Sequence, residues 1–261
     1  DIPYSVSQGS GAAARAATIL SKDEWLIEPI VAVVDPNKCR NVKAKCGICA
    51  QKCPYGAIKI EEGKPAQVVT AMCHGCGTCA AECPADAITQ MHFTDAQIFA
   101  QIEAALEENP EEKILAFCCN WCSYAGSDLA GTSRFEYPPN VRIIRVMCSG
   151  RVDRDFVIDA FRKGAGMVLV AACHLPYDCH YISGNWRMKE RMEALAKMLE
   201  KLGLTPDRFR VDYISAAEGL KFAELMKELT AKLMEIGKER IKAENQKLKP
   251  ILDRMLARKG L

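Results

Sequence analysis

Cys73-His-Gly-Cys76-Gly-Thr-Cys79-Ala-Ala-Glu-Cys83-Pro84, residues 73–84, decides how the rest of the chain is read. Its cysteines are spaced x2, x2 and x3, and a proline closes the run. An earlier stretch, Cys39-x6-Cys46-x2-Cys49-x3-Cys53-Pro54, has the same ending. Thiolates are soft ligands, and this rhythm gathers three sulfurs around one corner of an iron–sulfur cubane while sending the fourth elsewhere. Zinc ribbons instead use paired C-x2-C elements, so two four-thiolate zinc sites match poorly.

Working outward, the two runs form an internal repeat with a thirty-residue period. Cys46, Gly47, Cys49, Cys53, Pro54, Ala57 and Ile58 map onto Cys76, Gly77, Cys79, Cys83, Pro84, Ala87 and Ile88. Only the first ligand breaks the period, because Lys43 stands where a cysteine is due and Cys39 lies four residues earlier. The longer loop, with Arg40, Lys43 and Lys45, costs little closure entropy. In two-cluster ferredoxins the remote fourth cysteine crosses to the other cluster. That rule assigns one [4Fe–4S] cluster to Cys39, Cys46, Cys49 and Cys83, and a second to Cys73, Cys76, Cys79 and Cys53. Pro54 and Pro84 are expected in the first turn of a helix. Ile58 and Ile88 are expected beside the clusters, keeping water away.

Lysine and arginine number 35 against 33 acidic residues, a net charge of +2. With no basic patch interleaved with aromatics, nucleic acid is not an expected partner. No apolar run reaches the ~18 residues that would span a bilayer, and no secretory signal is visible. Twelve of the fourteen cysteines sit in metal-ligand spacings, which points to a reducing cytoplasm rather than to disulfides. The start at Asp1, without Met, suggests a processed product or the tail of something larger.

Five segments follow. Residues 1–30 hold an Ala-rich stretch, Gly9 to Leu20, expected as a short packing helix capped by Ser10. Residues 31–92 are the two-cluster module, with strands at Val31–Val34 and Gln67–Val69. Residues 93–112 read as a linker helix capped by Thr94, with Ile98, Ile102 and Leu106 as its apolar stripe. Residues 113–237 alternate strand and helix: strands at Lys113–Cys118, Val141–Met147, Met167–Ala172 and Phe209–Ile214, helices at Asp155–Lys163, Trp186–Leu202 and Ala217–Ile236. Residues 238–261 read as a basic amphipathic tail interrupted by Pro250, either a solvated helix end or a docking arm for a partner. The fold class is thus α/β and α+β: a two-[4Fe–4S] ferredoxin-like module followed by a parallel-sheet α/β domain with helices on both faces.

In such sheets functional groups gather beyond the carboxyl ends of the strands. The remaining cysteines fall there: Cys118, Cys119 and Cys122 after one strand, Cys148 after the next, Cys173 and Cys179 after the third. Four of them suit a [2Fe–2S] cluster, and the best set is Cys119, Cys122 and Cys148 with Cys173 or Cys179. Cys118 is the expected spare, turned into the core as a small hydrophobe. His174 and His180 are weak candidates for Rieske-type ligands and better ones for hydrogen bonding to sulfur. Trp121 and Tyr124 are expected to shield the centre. Zinc is the competing occupant. A thiol–disulfide oxidoreductase built on Cys119 and Cys122, fed by the ferredoxin module, is the alternative function. No Walker or Rossmann glycine fingerprint and no nucleophile–base pair is present, so no catalytic residue is expected.

Three long stretches carry a resemblance: Phe117–Tyr124 (FCCNWCSY), Tyr137–Arg151 (YPPNVRIIRVMCSGR) and Asp178–Asn185 (DCHYISGN). Together they are similar to the delta subunit of methyl-viologen-reducing (F420-non-reducing) hydrogenase, over about 113–237. Residues 1–92 resemble the C-terminal, ferredoxin-containing end of the heterodisulfide reductase A-type polypeptide, in which Ser5–Leu20 would be the last helix of a flavin domain. The chain therefore looks like a fusion of the two, of the kind found in methanogenic archaea and related sulfur-metabolising organisms. The resemblance implies an oxidoreductase subunit with no substrate site of its own. It would relay electrons between a hydrogenase or formate dehydrogenase and the flavin of an electron-bifurcating heterodisulfide reductase complex. FAD would sit on a partner chain, and ferredoxin would be a further partner.

Overall fold

The computed structural model describes residues 1–23 and 29–257. Residues 24–28 of the N-terminal segment and 258–261 of the basic tail lie outside it. Helix α1 (Ile2–Leu20) starts earlier than the glycines suggested, because Asp1 caps it and accepts the Tyr4 N–H at 2.9 Å. Ser10 lies inside the helix, and no residue of α1 is buried, so the expected packing helix is not seen.

The repeat folds as two interlocked halves. The first is β1 (Ala32–Val34), α2 (Ile48–Lys52) and β2 (Ile58–Lys59). The second is β3 (Gln67–Val68), α3 (Thr78–Ala81) and β4 (Ile88–Gln90). Strand β1 pairs antiparallel with β4, and β2 with β3, so each half is completed by the other. Gly47 and Gly77 start the short helices at φ 64° and 76°, left-handed values that glycine adopts without steric cost. Pro54 and Pro84 correct the sequence expectation. They follow the ends of α2 and α3 and stop those helices rather than begin new ones.

Helix α4 (Asp95–Ala105) has the expected Thr94 cap, extended into a reciprocal capping box with Gln97. It is more than a linker, since Ile98, Phe99, Ile102 and Leu106 enter the core of the domain that follows. That domain contains β5 (Ile114–Cys119), α5 (Ser123–Thr132), β6 (Val141–Val146), α6 (Arg154–Arg162) and β7 (Met167–Ala172). It continues with α7 (Gly184–Leu202), β8 (Phe209–Tyr213), α8 (Gly219–Ile236) and α9 (Lys238–Leu256). The sheet is parallel, in the order β6-β5-β7-β8. Strands β5 and β7 are buried along their whole length, as strands covered on both faces must be. One face packs Phe117, Val170 and Phe156 against α4, α6, α7 and α9; the other packs Cys118 and Leu169 against Phe222 and Met226 of α8.

Over its described residues, the basic tail is neither a solvated end nor interrupted. Helix α9 runs through Pro250 and buries Ile241, Leu248, Leu252 and Leu256, the last three in the core shared with α6. Of the apolar residues proposed as a docking arm, Leu252 and Leu256 are therefore already covered. Among the described residues, no helix is long and apolar enough to cross a membrane.

Candidate iron–sulfur sites

The interlocked halves leave two thiol-lined cavities. Cys39, Cys46, Cys49 and Cys83 line the first, with Ile48, Ile60 and Ile88. Cys53, Cys73, Cys76 and Cys79 line the second, with Tyr55 and Ile58. The crossing of Cys53 and Cys83 follows from the strand exchange: each sits at the end of its own helix, facing the partner half. Backbone N–H groups already point at sulfur, from Ala66 to Cys39 (3.5 Å), Ala32 to Cys73 (3.4 Å) and Ala87 to Cys83 (3.3 Å). Burial pushes the Cys49 thiol up to about 11 and raises Cys76 and Cys79 as well. Thiols this hard to ionise give up their protons readily only to a bound metal, whose charge replaces the lost solvation. The donor chemistry and the cavities fit two cubane clusters.

A third set of sulfurs lies at the carboxyl edge of the parallel sheet. Successive residues of a strand face opposite sides, which separates Cys118 from Cys119. Cys118 packs into the α8 face, where burial pushes its thiol up to about 12. Cys119 turns toward the edge, where Cys122 at the start of α5, Cys148 after β6, Cys173 after β7 and Cys179 in the next loop meet it. The Cys119 and Cys173 sulfurs are 3.7 Å apart, and those of Cys148 and Cys179 are 4.0 Å apart. Cys119, Cys122 and Cys173 offer sulfurs that all lie within 4.8 Å of one another. These groups do not ionise independently: hydrogen bonds from Cys122, Cys148 and Cys173 push Cys119 down, while Cys148 and Cys173 are pushed up. The structure thus brings both Cys173 and Cys179 to the edge, where the sequence left a choice of one.

Residues that sequence reasoning passed over shape this edge. Ser123 accepts the Cys119 N–H at 2.8 Å and donates to the Ala171 carbonyl at 2.7 Å, tying β5 to β7. Gly150 N–H points at the Cys148 sulfur at 3.4 Å. A Cβ at Gly184 would collide with that sulfur, so the position takes only glycine without rearrangement. The histidines correct the Rieske expectation. His174 Nε2 pairs with Glu218 Oε2 at 2.6 Å, and that hydrogen bond holds Glu218 down at about 2. His180 stacks on Trp121 with ring centroids 3.8 Å apart. Trp121 fits the expected shield, whereas Tyr124 packs on the α8 face beneath Arg145.

The second cavity and the sheet edge are neighbours. Tyr55 and Cys76 pack against Cys148, Cys179 and Tyr181. Arg191 fastens the two modules, donating to Glu82 Oε1 (2.5 Å), to the Gly150 carbonyl (2.8 Å) and to the Val152 carbonyl. Arg151, fully buried, donates to the Phe93 carbonyl and to Asp95.

A two-cavity ferredoxin module locked to a cysteine-edged parallel sheet defines an iron–sulfur electron-transfer protein. A 4Fe-4S dicluster domain model matches residues 38–88, and the model of the methyl-viologen-reducing hydrogenase delta subunit matches residues 114–237. The iron-sulfur D-type polypeptide of the F420-non-reducing hydrogenase vhc from Methanococcus voltae is 45% identical over 143 residues, which cover 55% of this chain and 99% of that protein. The corresponding D-type polypeptide of Archaeoglobus profundus is 46% identical over 132 residues, 51% of this chain and 96% of its own. The chain belongs to this delta-subunit family, joined here to a dicluster ferredoxin domain. The A-type polypeptide of the ferredoxin:CoB-CoM heterodisulfide reductase of Methanosarcina mazei is 43% identical over 238 residues, 91% of this chain. The chain spans 29% of the length of that polypeptide. These relatives are subunits of oxidoreductase complexes, and the chain is an iron–sulfur electron-transfer subunit of that type.

Proposed function

We propose that the chain relays electrons between a hydrogenase or formate dehydrogenase and the flavin of a heterodisulfide-reductase-type, electron-bifurcating complex. Cys39, Cys46, Cys49 and Cys83 would hold one [4Fe–4S] cluster, and Cys53, Cys73, Cys76 and Cys79 the other. Cysteines from the set Cys119, Cys122, Cys148, Cys173 and Cys179 would hold a [2Fe–2S] cluster. When bound, such clusters supply one-electron storage at potentials set by their surroundings. The carrying observation is contact: Tyr55 and Cys76 of the second cavity pack against Cys148, Cys179 and Tyr181 of the sheet edge. Tyr181 is buried at that contact, Ser123 anchors the Cys119 backbone, and the Gly150 N–H points at the Cys148 sulfur. The flavin and the donor would sit on partner chains, and ferredoxin, which the name of the Methanosarcina mazei relative includes, would be a further partner.

The alternative, a dithiol enzyme built on Cys119 and Cys122, is disfavoured by burial. An exchanging thiolate needs access, and these residues are 1% and 9% exposed. Iron, zinc and acid-labile sulfide analysis with EPR of the anaerobically reduced protein tests the proposal. Two interacting cubane signals and one [2Fe–2S] signal are expected, together with hydrogenase or reductase subunits in affinity pull-downs. Zinc at the sheet edge, or metal-free thiols there that reduce disulfides, would overturn it.

A further inference from the structure

Five sulfurs converge at the sheet edge, one more than the four that a [2Fe–2S] centre takes. They fall into two groups. Cys148 and Cys179 form a pair 4.0 Å apart, on the side that packs against Cys76 and Tyr55. Cys119, Cys122 and Cys173 form a set of three with every sulfur within 4.8 Å of the others. We propose that the pair holds one iron, and that the other iron is shared by the set of three, any two of which complete it. The proposal rests on the [2Fe–2S] reading of this edge and adds a ligand held in reserve.

Three observations carry it. Cys148 and Cys179 face each other beside Tyr55 and Cys76, while Cys118 faces the opposite side of the sheet. The set of three comes from separate, rigid supports: the end of β5, the start of α5 and the end of β7. None of the three can therefore swing away, and whichever is unbound stays within reach. All three are also buried, so water does not compete for the vacated position. Exchange is a redox-neutral ligand substitution. One Fe–S(Cys) bond breaks and another forms, and the entering thiol passes its proton to the leaving thiolate.

Single Cys→Ala replacements at the five positions, in the full chain purified anaerobically, test this through iron content, acid-labile sulfide and EPR. Alanine offers no substitute ligand. Cys148→Ala and Cys179→Ala should lose the [2Fe–2S] signal and keep both cubane signals. Cys119→Ala, Cys122→Ala and Cys173→Ala should each keep a [2Fe–2S] signal, with g values shifted only where the removed sulfur is a native ligand, and the double variant C119A/C122A should lose it. Retained cubane signals and far-UV circular dichroism certify folding; where an alanine variant fails that check, the valine variant, which also offers no ligand, replaces it. Loss of the centre in any one of the three single variants, or its retention in C148A or C179A, would overturn the proposal while leaving the cluster reading intact. A native protein with no [2Fe–2S] signal would overturn the cluster reading and the proposal together.

Discussion

Cys118 and Cys119 differ by one position and by everything that matters to a ligand. Strand alternation sends the first into an apolar face and the second to the sheet edge. Cys118→Ala should therefore leave iron and sulfide content unchanged and destabilise the domain by about 1 kcal/mol, the scale of a small buried deletion. Iron analysis beside a denaturation curve checks both halves of that statement. Gly184 makes the opposite case, since it ligates nothing yet stands against the Cys148 sulfur. Gly184→Ala should displace that sulfur and deplete the third centre, with both cubane signals preserved in EPR. The role of Cys118 was legible in the sequence from its place at the end of an apolar strand. That of Gly184 was not, because a glycine needed for lack of space looks like any other until its neighbour from a distant loop is known.

Among the elements, α9 shows how a segment that reads as solvated comes to be fixed. Arg208, with no exposed surface, donates to the carbonyls of Gly166 and Ala165, to Asn245 and to Glu244 Oε2 (2.9 Å). Thr205 also donates to Glu244, at 2.6 Å. Burial works to raise the Glu244 carboxyl, but the Thr205 and Arg208 hydrogen bonds prevail and hold it below its ordinary 4.5. Glu244→Ala leaves the Arg208 cation buried and uncompensated, a loss on the order of 3–5 kcal/mol in chemical denaturation. The carboxylate's contribution is full above its ordinary value and is lost as pH falls through the lower folded value. Glu244→Gln should accordingly flatten the acid limb of the stability–pH curve while changing its slope little near neutrality. Its packing was hidden because lysines and arginines are interleaved with its apolar residues, and the arginine that anchors it lies in another element. Helix α5 was missed for a different reason. Its small residues, Gly126 among them, serve close approach to α8 and the preceding loop and make no apolar stripe. The strands and long helices of the sheet were legible because burial on both faces, or on one stripe, writes itself into the residue pattern.

At the scale of the whole molecule, the proposed relay works only if the contact between the two modules is held to atomic tolerance. That contact includes Tyr55 and Cys76 against Cys148, Cys179 and Tyr181, and α3 against Ser149–Arg151, flanked by the largely buried guanidinium of Arg191. Burial lowers the Arg191 pKa, and Glu82 on the ferredoxin side works to restore it. The guanidinium thus joins a residue beside α3 to two carbonyls of the Cys148 loop. Each hydrogen bond to a charged group contributes about 1.5–3 kcal/mol, enough to set the docking without being needed to fold either module. Arg191→Met keeps much of the apolar volume and removes the link. All three centres should assemble in that variant, with iron and sulfide as in the native protein. Electron exchange between the ferredoxin module and the sheet edge should nevertheless slow, as followed by rapid-mixing freeze-quench EPR after reduction from one side. Glu82→Gln should slow it less, because the arginine keeps its two carbonyl partners. An unchanged exchange rate in Arg191→Met, with the centres intact, would mean that the modules are aligned by the Arg151–Phe93–Asp95 contacts alone, and that the edge facing Tyr55 is not the point of transfer.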